Sequence, residues 1–141
     1  MSIESMHKLL EEYHEAWGRG DQEAGMAFYS DDVVVHMGGD GPLSGVYRGK
    51  KDFVDNWIGR VNAYVDTWQV GGEGEDEKDN VLLIGEDGVL MLVHEEWGKG
   101  DRKVITKRMG FYRWQGRQIV ECYFADMNQP EVEGFFGDLN A

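Results

Sequence analysis

The chain is poor in several residue types, and each shortage excludes a class of protein. It has one cysteine, Cys122, and two prolines among 141 residues, so no internal disulfide can form. Basic residues are also scarce, since 14 Lys and Arg stand against 27 Asp and Glu for a formal net charge of −13. Because nucleic acids and anionic membranes are bound largely through Lys and Arg, we expect neither as a partner.

Long hydrophobic runs are missing as well. No apolar stretch approaches the roughly 20 residues that a membrane-spanning helix needs. Residues 1–5 lack the basic segment followed by an apolar segment that a secretory signal has. Together with the single cysteine, these patterns predict a cytoplasmic protein in a reducing setting. Hydrophobic residues make up 41% of the chain, which is enough for a packed core in one domain, expected to span residues 1–141.

Four segments have the patterns of helices. Ser2 is placed to cap the first, Asp21 a second short one that reaches Phe28, and Pro130 opens a short terminal helix. A third helix follows Gly49. The apolar stripe of the first helix comprises Ile3, Met6, Leu10, Tyr13 and Trp17, and that of the third comprises Phe53, Val54, Trp57, Ile58, Val61 and Tyr64, at spacings of three and four.

The rest of the chain has an extended pattern. An early strand is predicted at 33–37 after a turn at 30–32, and the acidic stretch 73–79 is predicted as a solvated turn or strand extension. Asp87-Gly88 between alternating apolar runs is a strong hairpin signal. The later strands are predicted at 67–70, 81–84, 89–97, 103–114 and 119–126. Helices gathered on one side of such an antiparallel sheet make an α+β domain.

Asp126 is the most informative residue of the last strand. Side chains alternate across a strand, so Asp126 shares a face with Val120, Cys122 and Phe124. That face is mostly apolar and is expected to point inward. A carboxylate there is costly unless it is paired, hydrogen-bonded or used in chemistry. Asp126 is therefore the first candidate for a general base, against the alternative of an acid that caps the turn at the strand end.

Several residues recur in an order that is found in one superfamily. Tyr13 and Trp17 precede Gly20-Asp21, and His36 lies on the first strand. Residues 45–53 (GVYRGKKDF) then lead into the third helix, and residues 112–121 (YRWQGRQIVE) precede Asp126. In this order the chain resembles the nuclear transport factor 2-like (NTF2-like) superfamily, and within it the SnoaL-like polyketide cyclase and ketosteroid isomerase branch. The resemblance spans nearly the whole chain.

The resemblance implies a cone-shaped, strongly curved sheet wrapped around the N-terminal helices, with a mainly apolar pocket inside. It also implies a homodimer packed through the sheet. The superfamily includes cyclases, isomerases, dehydratases, epoxide hydrolases and non-catalytic binding domains, so the fold alone chooses none of them. In the cyclase branch an acid near the end of the last strand transfers protons, and Asp126 matches that position. The Asp-Arg-Asp chemistry of epoxide hydrolases would need a second aspartate near Arg108, and the strand 103–114 contains none.

Two histidines are candidates to assist Asp126. His36 shares a strand face with Val34, and His94 shares one with Leu90 and Leu92. Either could line the pocket, because imidazole titrates near neutral pH. The alternative for each is a half-buried histidine bonded to the backbone.

Arg108 has two alternative roles. It shares a strand face with Thr106, Gly110 and Tyr112, where it could pair with Asp126 or bind a substrate oxyanion, or it could form an outward salt bridge. Held by Arg108, Asp126 would be structural; beside a histidine, it would be a working acid or base. The remaining candidate pocket walls, with core packing as their alternative, are Tyr29, Tyr47, Trp57, Met109 and Tyr123.

The sequence thus predicts a domain that binds a small, largely apolar carbonyl compound, with proton transfer by Asp126 assisted by His36 or His94. No phosphate-cradling glycine motif and no zinc-type His/Cys spacing is present, so neither cofactor nor metal is expected. The rival interpretation is a non-catalytic ligand-binding or protein-interaction domain of the same fold. A hollow of roughly 300 Å³ or more, with Asp126 and a histidine at its wall, would favour the first interpretation.

Overall fold

A computed structural model of the chain describes residues 2–72 and 80–139. The acidic stretch predicted as a turn or strand extension, 73–79, lies outside these residues. Among the helices described, none is long and apolar enough to cross a membrane.

The N-terminal helices begin where their capping residues predict. Helix α1 (Ile3–Gly18) starts after Ser2, whose hydroxyl accepts a hydrogen bond from the backbone N–H of Ser5 at 3.1 Å. Helix α2 (Gln22–Met26) starts after Asp21, which caps the N–H of Ala24. The buried face of α1 comprises Met6, Leu9, Leu10, Tyr13 and Ala16. Ile3, predicted on the same stripe, is 47% exposed because it lies in the first turn.

The third predicted helix is continuous but irregular. It consists of α3 (Lys50–Phe53), a π-helical turn (Val54–Ile58) and α4 (Gly59–Tyr64). The N–H of Gly59 donates to the carbonyl of Val54, five residues back. A Cβ at Gly59 would lie 3.2 Å from that carbonyl oxygen, so glycine leaves room for the wider turn. Such turns insert one extra residue into a helix and are frequent at functional sites.

Within residues 2–72 and 80–139, seven strands form one curved sheet, and their bounds lie within a few residues of the predicted ones. The first strand starts earlier than expected, because Tyr29 already pairs with Ile119 and residues 30–32 continue the strand as an irregular segment instead of a separate turn. The strands are β1 (Tyr29–Met37), β2 (Gly45–Arg48), β3 (Thr67–Val70), β4 (Val81–Ile84), β5 (Gly88–Lys99), β6 (Arg102–Gln115) and β7 (Gln118–Asp126).

The strand order along the sheet is β2-β1-β7-β6-β5-β3, with β4 pairing to β5 beside β3. β1 and β7 run parallel, whereas the other described pairs are antiparallel. This order places the three long strands β5, β6 and β7 side by side. A short helix, α5 (Gln129–Phe135), follows β7 directly and has Pro130 in its first turn.

The curved sheet wraps around the helices as an open cone, and the hydrophobic core lies between the sheet and the helices. Alternation gives each long strand one buried and one more exposed face. On β6 the buried residues are Val104, Thr106, Arg108, Gly110, Tyr112 and Trp114. Strand β5 turns Met91, Glu95 and Trp97 to the same side. The interior of the cone therefore contains charged residues among aromatic ones.

Candidate functional site

An arginine held between two carboxylates lies at the centre of the inner face. Arg108 on β6 donates through Nε to Asp126 Oδ1 at 3.1 Å and through Nη2 to Asp126 Oδ2 at 3.4 Å. Its Nη1 lies 3.3 Å from Oε2 of Glu95 on β5. The register pairs Arg108 with Asp126 across β6 and β7. We call Glu95, Arg108 and Asp126 the inner triad.

Aromatic rings surround the guanidinium of Arg108, which is 6% exposed. Its central carbon lies 5.0 Å from the ring centre of Trp57, 5.2 Å from Trp97 and 5.7 Å from Phe124. A guanidinium is suited to this position, because it stacks on rings with its face while its edge donates to carboxylates. The three contacts to the acids use three of its five N–H groups, so two remain that those acids do not engage.

Asp126 is fixed by four groups, and none of them is a histidine. Besides the two donors of Arg108, the hydroxyl of Thr106 donates to Oδ1 at 2.9 Å, and the backbone N–H of Asp126 donates to Oε1 of Gln129 at 3.0 Å. The inward orientation predicted for Asp126 is confirmed. Of the two partners considered for it, the structure places Arg108 there.

Glu95 is the acid that faces the interior of the cone. It is 5% exposed, and its Oε1 accepts a hydrogen bond from the indole N–H of Trp68 at 2.9 Å. Burial raises the pKa of Glu95 above its usual range, and the nearby Arg108 and Trp68 oppose that shift without cancelling it. A buried carboxyl with a raised pKa can hold and release a proton closer to neutral pH.

A cavity opens inside the cone against this acid. We call it the cone cavity. The space inside it that a water molecule can enter measures about 50 Å³. The void reaches about 460 Å³ when the open mouth is included. The accessible space is well below the roughly 300 Å³ expected for the first interpretation, so side chains fill most of the cone and only a small ligand would fit without their moving. It is lined by Tyr13, His14, Trp17, Tyr29, Met37, Phe53, Trp57, Trp68, Val70, Val93, Glu95, Arg108, Tyr112 and Phe124.

A pair of tyrosine hydroxyls lies in the wall of the cone cavity. The hydroxyl oxygens of Tyr13 on α1 and Tyr29 on β1 are 2.7 Å apart. Desolvation raises the pKa of both well above the usual value for tyrosine, so both stay protonated at neutral pH. One hydroxyl donates to the other, and Tyr112 and the thiol of Cys122 are further hydrogen-bonding neighbours of Tyr13 and Tyr29, respectively.

His14, on α1, lines the cone cavity. Its Nε2 lies 3.2 Å from Sδ of Met91 on β5. The ring also packs edge-on against Tyr13, with centroids 5.7 Å apart. The histidine at the wall of the cone cavity is therefore one of α1 and not one of the two strand histidines.

A second cavity lies on the other side of Arg108. We call it the loop-side cavity. It is formed by the loop 38–44, the end of β7 and α5, and Asp126 lines it together with Arg108 and Gln129. The loop is tied to α5, because the N–H of Asp40 donates to Oε1 of Glu133 at 2.9 Å. Asp126 is thus reached from the loop side, and Glu95 from the cone side.

His36 and Tyr123 lie on the outer face of the sheet, not in the cone. Their rings stack with centroids 4.2 Å apart and planes 4° apart. Both side chains bond to Oε2 of Glu121, His36 at 3.0 Å and Tyr123 at 3.1 Å, and Arg113 reaches Oε1 at 3.3 Å. We call these four residues the outer cluster. The expected places of His36 and Tyr123 in the inner pocket are wrong. Tyr123 alternates with the buried Cys122 and Phe124 on β7, and His36, which alternates with buried residues on β1, pairs with Tyr123 across the two strands.

His94 also lies on the outer face of the sheet. It alternates with the buried Glu95 on β5, and its Nε2 lies 3.5 Å from Oε2 of Glu96. It therefore shares a face with Leu90 and Leu92, as expected, but that face is the outer one. Its expected position beside Asp126 is wrong.

The other predicted wall residues are divided between the two faces. Tyr29 and Trp57 line the cone cavity. Tyr47 is buried, donates its hydroxyl to the carbonyl of Leu43 at 2.7 Å and packs on Phe53. Met109 lies in a shallow outer trough with Tyr123.

Glu95 and Tyr13 are the residues that sequence reasoning missed. For Glu95 a signal was present, since its strand face is shared with Met91, Val93 and Trp97. A second acid near Arg108 was expected only on the arginine's own strand, β6, whereas it comes from the neighbouring strand, β5. For Tyr13 no local signal distinguishes a hydroxyl that lines a cavity from ordinary core. Among the described residues, no three His, Cys, Asp or Glu side chains are grouped as metal ligands.

Comparisons with known proteins agree with this geometry. A family profile for SnoaL-like domains matches residues 10–122. A search of curated proteins finds no match.

Solved structures share the fold at low sequence identity. A protein of unknown function with a cystatin-like fold from Xanthomonas campestris has a TM-score of 0.76 at 18% identity, covering 97% of this chain and 99% of its own. A putative SnoaL-like polyketide cyclase from Mesorhizobium loti has 0.60 at 16%, covering 85% and 97%. A protein with a ketosteroid isomerase-like fold from Catenulispora acidiphila, in complex with trimethylamine, has 0.63 at 12%, covering 89% and 90%.

The match over most of the chain, the cone fold and its interior cavity agree with one another, and the chain belongs to the SnoaL-like domain family of the NTF2-like superfamily.

Proposed function

We propose that the chain binds a small, largely apolar carbonyl compound in the cone cavity and transfers a proton on it without a cofactor. The observation that carries the proposal is Glu95, a buried carboxyl with a raised pKa at the wall of an aromatic cavity. The family is associated with ligand binding and with cyclase and isomerase activity. The likeness to a putative polyketide cyclase supports the same reaction class.

The cone cavity reaches Glu95 and the loop-side cavity reaches Asp126, and this difference determines the chemistry. Glu95 in its ionised form can remove a proton from the carbon next to a carbonyl, which leaves an enolate oxygen. The two N–H groups of Arg108 that the acids do not engage can donate to that oxygen. Glu95 then returns the proton to another atom of the ligand, so the reaction is an isomerisation or ring closure.

Asp126 keeps a positioning role in this proposal. It opens to the loop-side cavity and is held by Arg108 and Thr106. It therefore orients Arg108 toward Glu95 instead of meeting the ligand. His36 and His94 have no part in the proton transfer, since both lie on the outer face.

The test uses cyclohexanone, a small and largely apolar ketone, in D2O. NMR measures both its binding and the exchange of its α-protons. The wild type is expected to accelerate exchange, and Glu95→Gln to lose about 100-fold or more of that rate while retaining binding. Asp126→Asn should lose less, and Glu96→Gln, the neighbour on the outer face, should exchange like the wild type. Unchanged exchange in Glu95→Gln would refute the assignment of Glu95.

A second candidate is a non-catalytic ligand-binding domain. The narrowness of the cavity favours it, as does the fact that both carboxylates of the inner triad already accept hydrogen bonds. In the same experiment, this candidate predicts binding of the ketone without any acceleration of exchange.

We also propose a homodimer packed through the outer face of the sheet. That face has an open trough of about 440 Å³. The side chains of Val46, Ile105 and Tyr123 on the sheet are each 45–47% exposed. Covering such apolar side chains favours association. Sedimentation velocity at micromolar concentration should give a dimer that Val46→Asp weakens, and a monomeric wild type would overturn the proposal.

A further inference from the structure

The cone cavity and the loop-side cavity are separated by one layer of side chains. Four residues line both of them: Met37, Trp57, Arg108 and Phe124. These four residues are the wall between the cavities. The loop-side cavity behind it has a void of about 380 Å³, open side included. A ligand in the cone therefore faces a closed end with unfilled space behind it.

Trp57 is the largest member of the wall, and it is held firmly. The π-helical turn places it inside the cone, where it is 3% exposed. Its ring stacks on Phe53 at 5.4 Å with an interplanar angle of 11° and meets Trp68 edge-on at 5.6 Å. The guanidinium of Arg108 lies over the indole at 5.0 Å and is fixed by the two carboxylates. These contacts leave the indole little freedom to swing aside.

We propose that Trp57 sets the length limit of the ligand that the cone accepts. The inference rests on the proposed function in one respect, that the ligand occupies the cone cavity. The wild type then selects short apolar carbonyl compounds, and any longer chain must extend through the mouth into water. Replacing the indole by a smaller side chain joins the two cavities, so that a longer chain can continue toward Asp126.

Affinity as a function of chain length tests the proposal. Isothermal titration calorimetry is done with 2-alkanones of increasing length and, as a series without a carbonyl, with 1-alkanols of the same lengths. Each buried methylene contributes about 0.8 kcal/mol, which is about four-fold in affinity. In the wild type, affinity should rise by this factor and then level off at the length that fills the cone. In Trp57→Leu the rise should continue for about two or more further carbons.

Two further variants make the result specific. Val132→Ala enlarges the loop-side cavity without touching the wall, so its affinity should level off at the wild-type length. Met37→Ala thins the same wall from β1, and circular dichroism shows which variants are folded. If Trp57→Leu does not fold, Met37→Ala carries the test.

The outcomes separate this proposal from the proposed function. A length limit that stays the same in the folded wall variants, or a wild type without any limit, overturns the role of Trp57. If alkanols and alkanones bind equally and show the shift, the wall stands and the carbonyl preference fails. If neither series binds the wild type or the wall variants, the cone is not a ligand site, and both proposals fail.

Discussion

The two faces of the curved sheet bear two charged clusters that share strands β6 and β7 and differ mainly in burial. The inner triad of Glu95, Arg108 and Asp126 lies among aromatic rings, and its arginine is 6% exposed. In the outer cluster, Glu121 has about a quarter of its side chain exposed and Arg113 more than half. Both combine carboxylate, guanidinium and aromatic groups, yet water reaches only one of them.

This difference has opposite consequences for the acids. Burial dominates at Glu95 and raises its pKa. At Glu121 the hydrogen bond from His36 is the largest influence and lowers the pKa. The comparison shows that similar neighbours produce opposite shifts when solvation differs. A reactive carboxyl is therefore to be sought on the inner face.

Removing Arg108 should have the largest effect on stability. Arg108→Met leaves two buried carboxylates without their cation, which is expected to cost about 3–5 kcal/mol at neutral pH. The loss should shrink at lower pH, where the carboxyl of Glu95, whose pKa burial raises, becomes protonated and neutral. Urea denaturation at pH 7 and pH 5 measures both effects. Arg113→Met in the outer cluster is the matched control and should lose at most about 1 kcal/mol; equal losses would mean that burial does not distinguish the clusters.

Neutralising Glu95 should change the pH dependence of stability by a smaller amount. Its pKa in the folded state is raised above that in the unfolded chain, about 4.3. The stability linked to its protonation is therefore present below that value and is lost as the pH rises through the folded-state pKa. Glu95→Gln lacks this loss, so the wild type should weaken relative to the variant as the pH rises from 4 to 8. A difference that is constant across this range would argue against a raised pKa.

Neutralising Glu121 should change the pH dependence of stability least, and in the opposite direction to neutralising Glu95. Its pKa in the folded state is lowered, chiefly by the hydrogen bond from His36. The stability that it contributes is present above about pH 4.3 and is lost as the pH falls through the folded-state pKa. Glu121→Gln should therefore be weaker than the wild type by at most about 1 kcal/mol near pH 6, with the gap closing toward pH 3. Denaturation curves in low salt provide the measurement, and a gap that widens toward pH 3 would contradict it.

Val120, expected on the inward face of β7, lies at a break in the register between Ile119 and Glu121 and is only partly buried. The sequence was otherwise sufficient to predict the inward face of β7 and the possible pairing of Arg108 with Asp126. Both depend on alternation, which is a local property of a strand.

The sequence could not predict the positions of His36 and His94, because alternation separates the two faces of a strand without saying which face is covered. The second acid of the inner triad was hidden for a related reason. Glu95 meets Arg108 only after β5 and β6 pair, and that register is a contact between distant parts of the chain.

Periodicity and capping residues alone determined the helices, most of the strand bounds and the sets of side chains that share a face. These features come from interactions within a few residues of the chain, so a single sequence contains them. The tertiary structure alone decided that β1 runs parallel to β7, that Glu95 completes the inner triad and that Trp57 separates two cavities. These features depend on which elements lie next to one another, because the burial of a side chain is set by its neighbours in space and not by its neighbours in sequence.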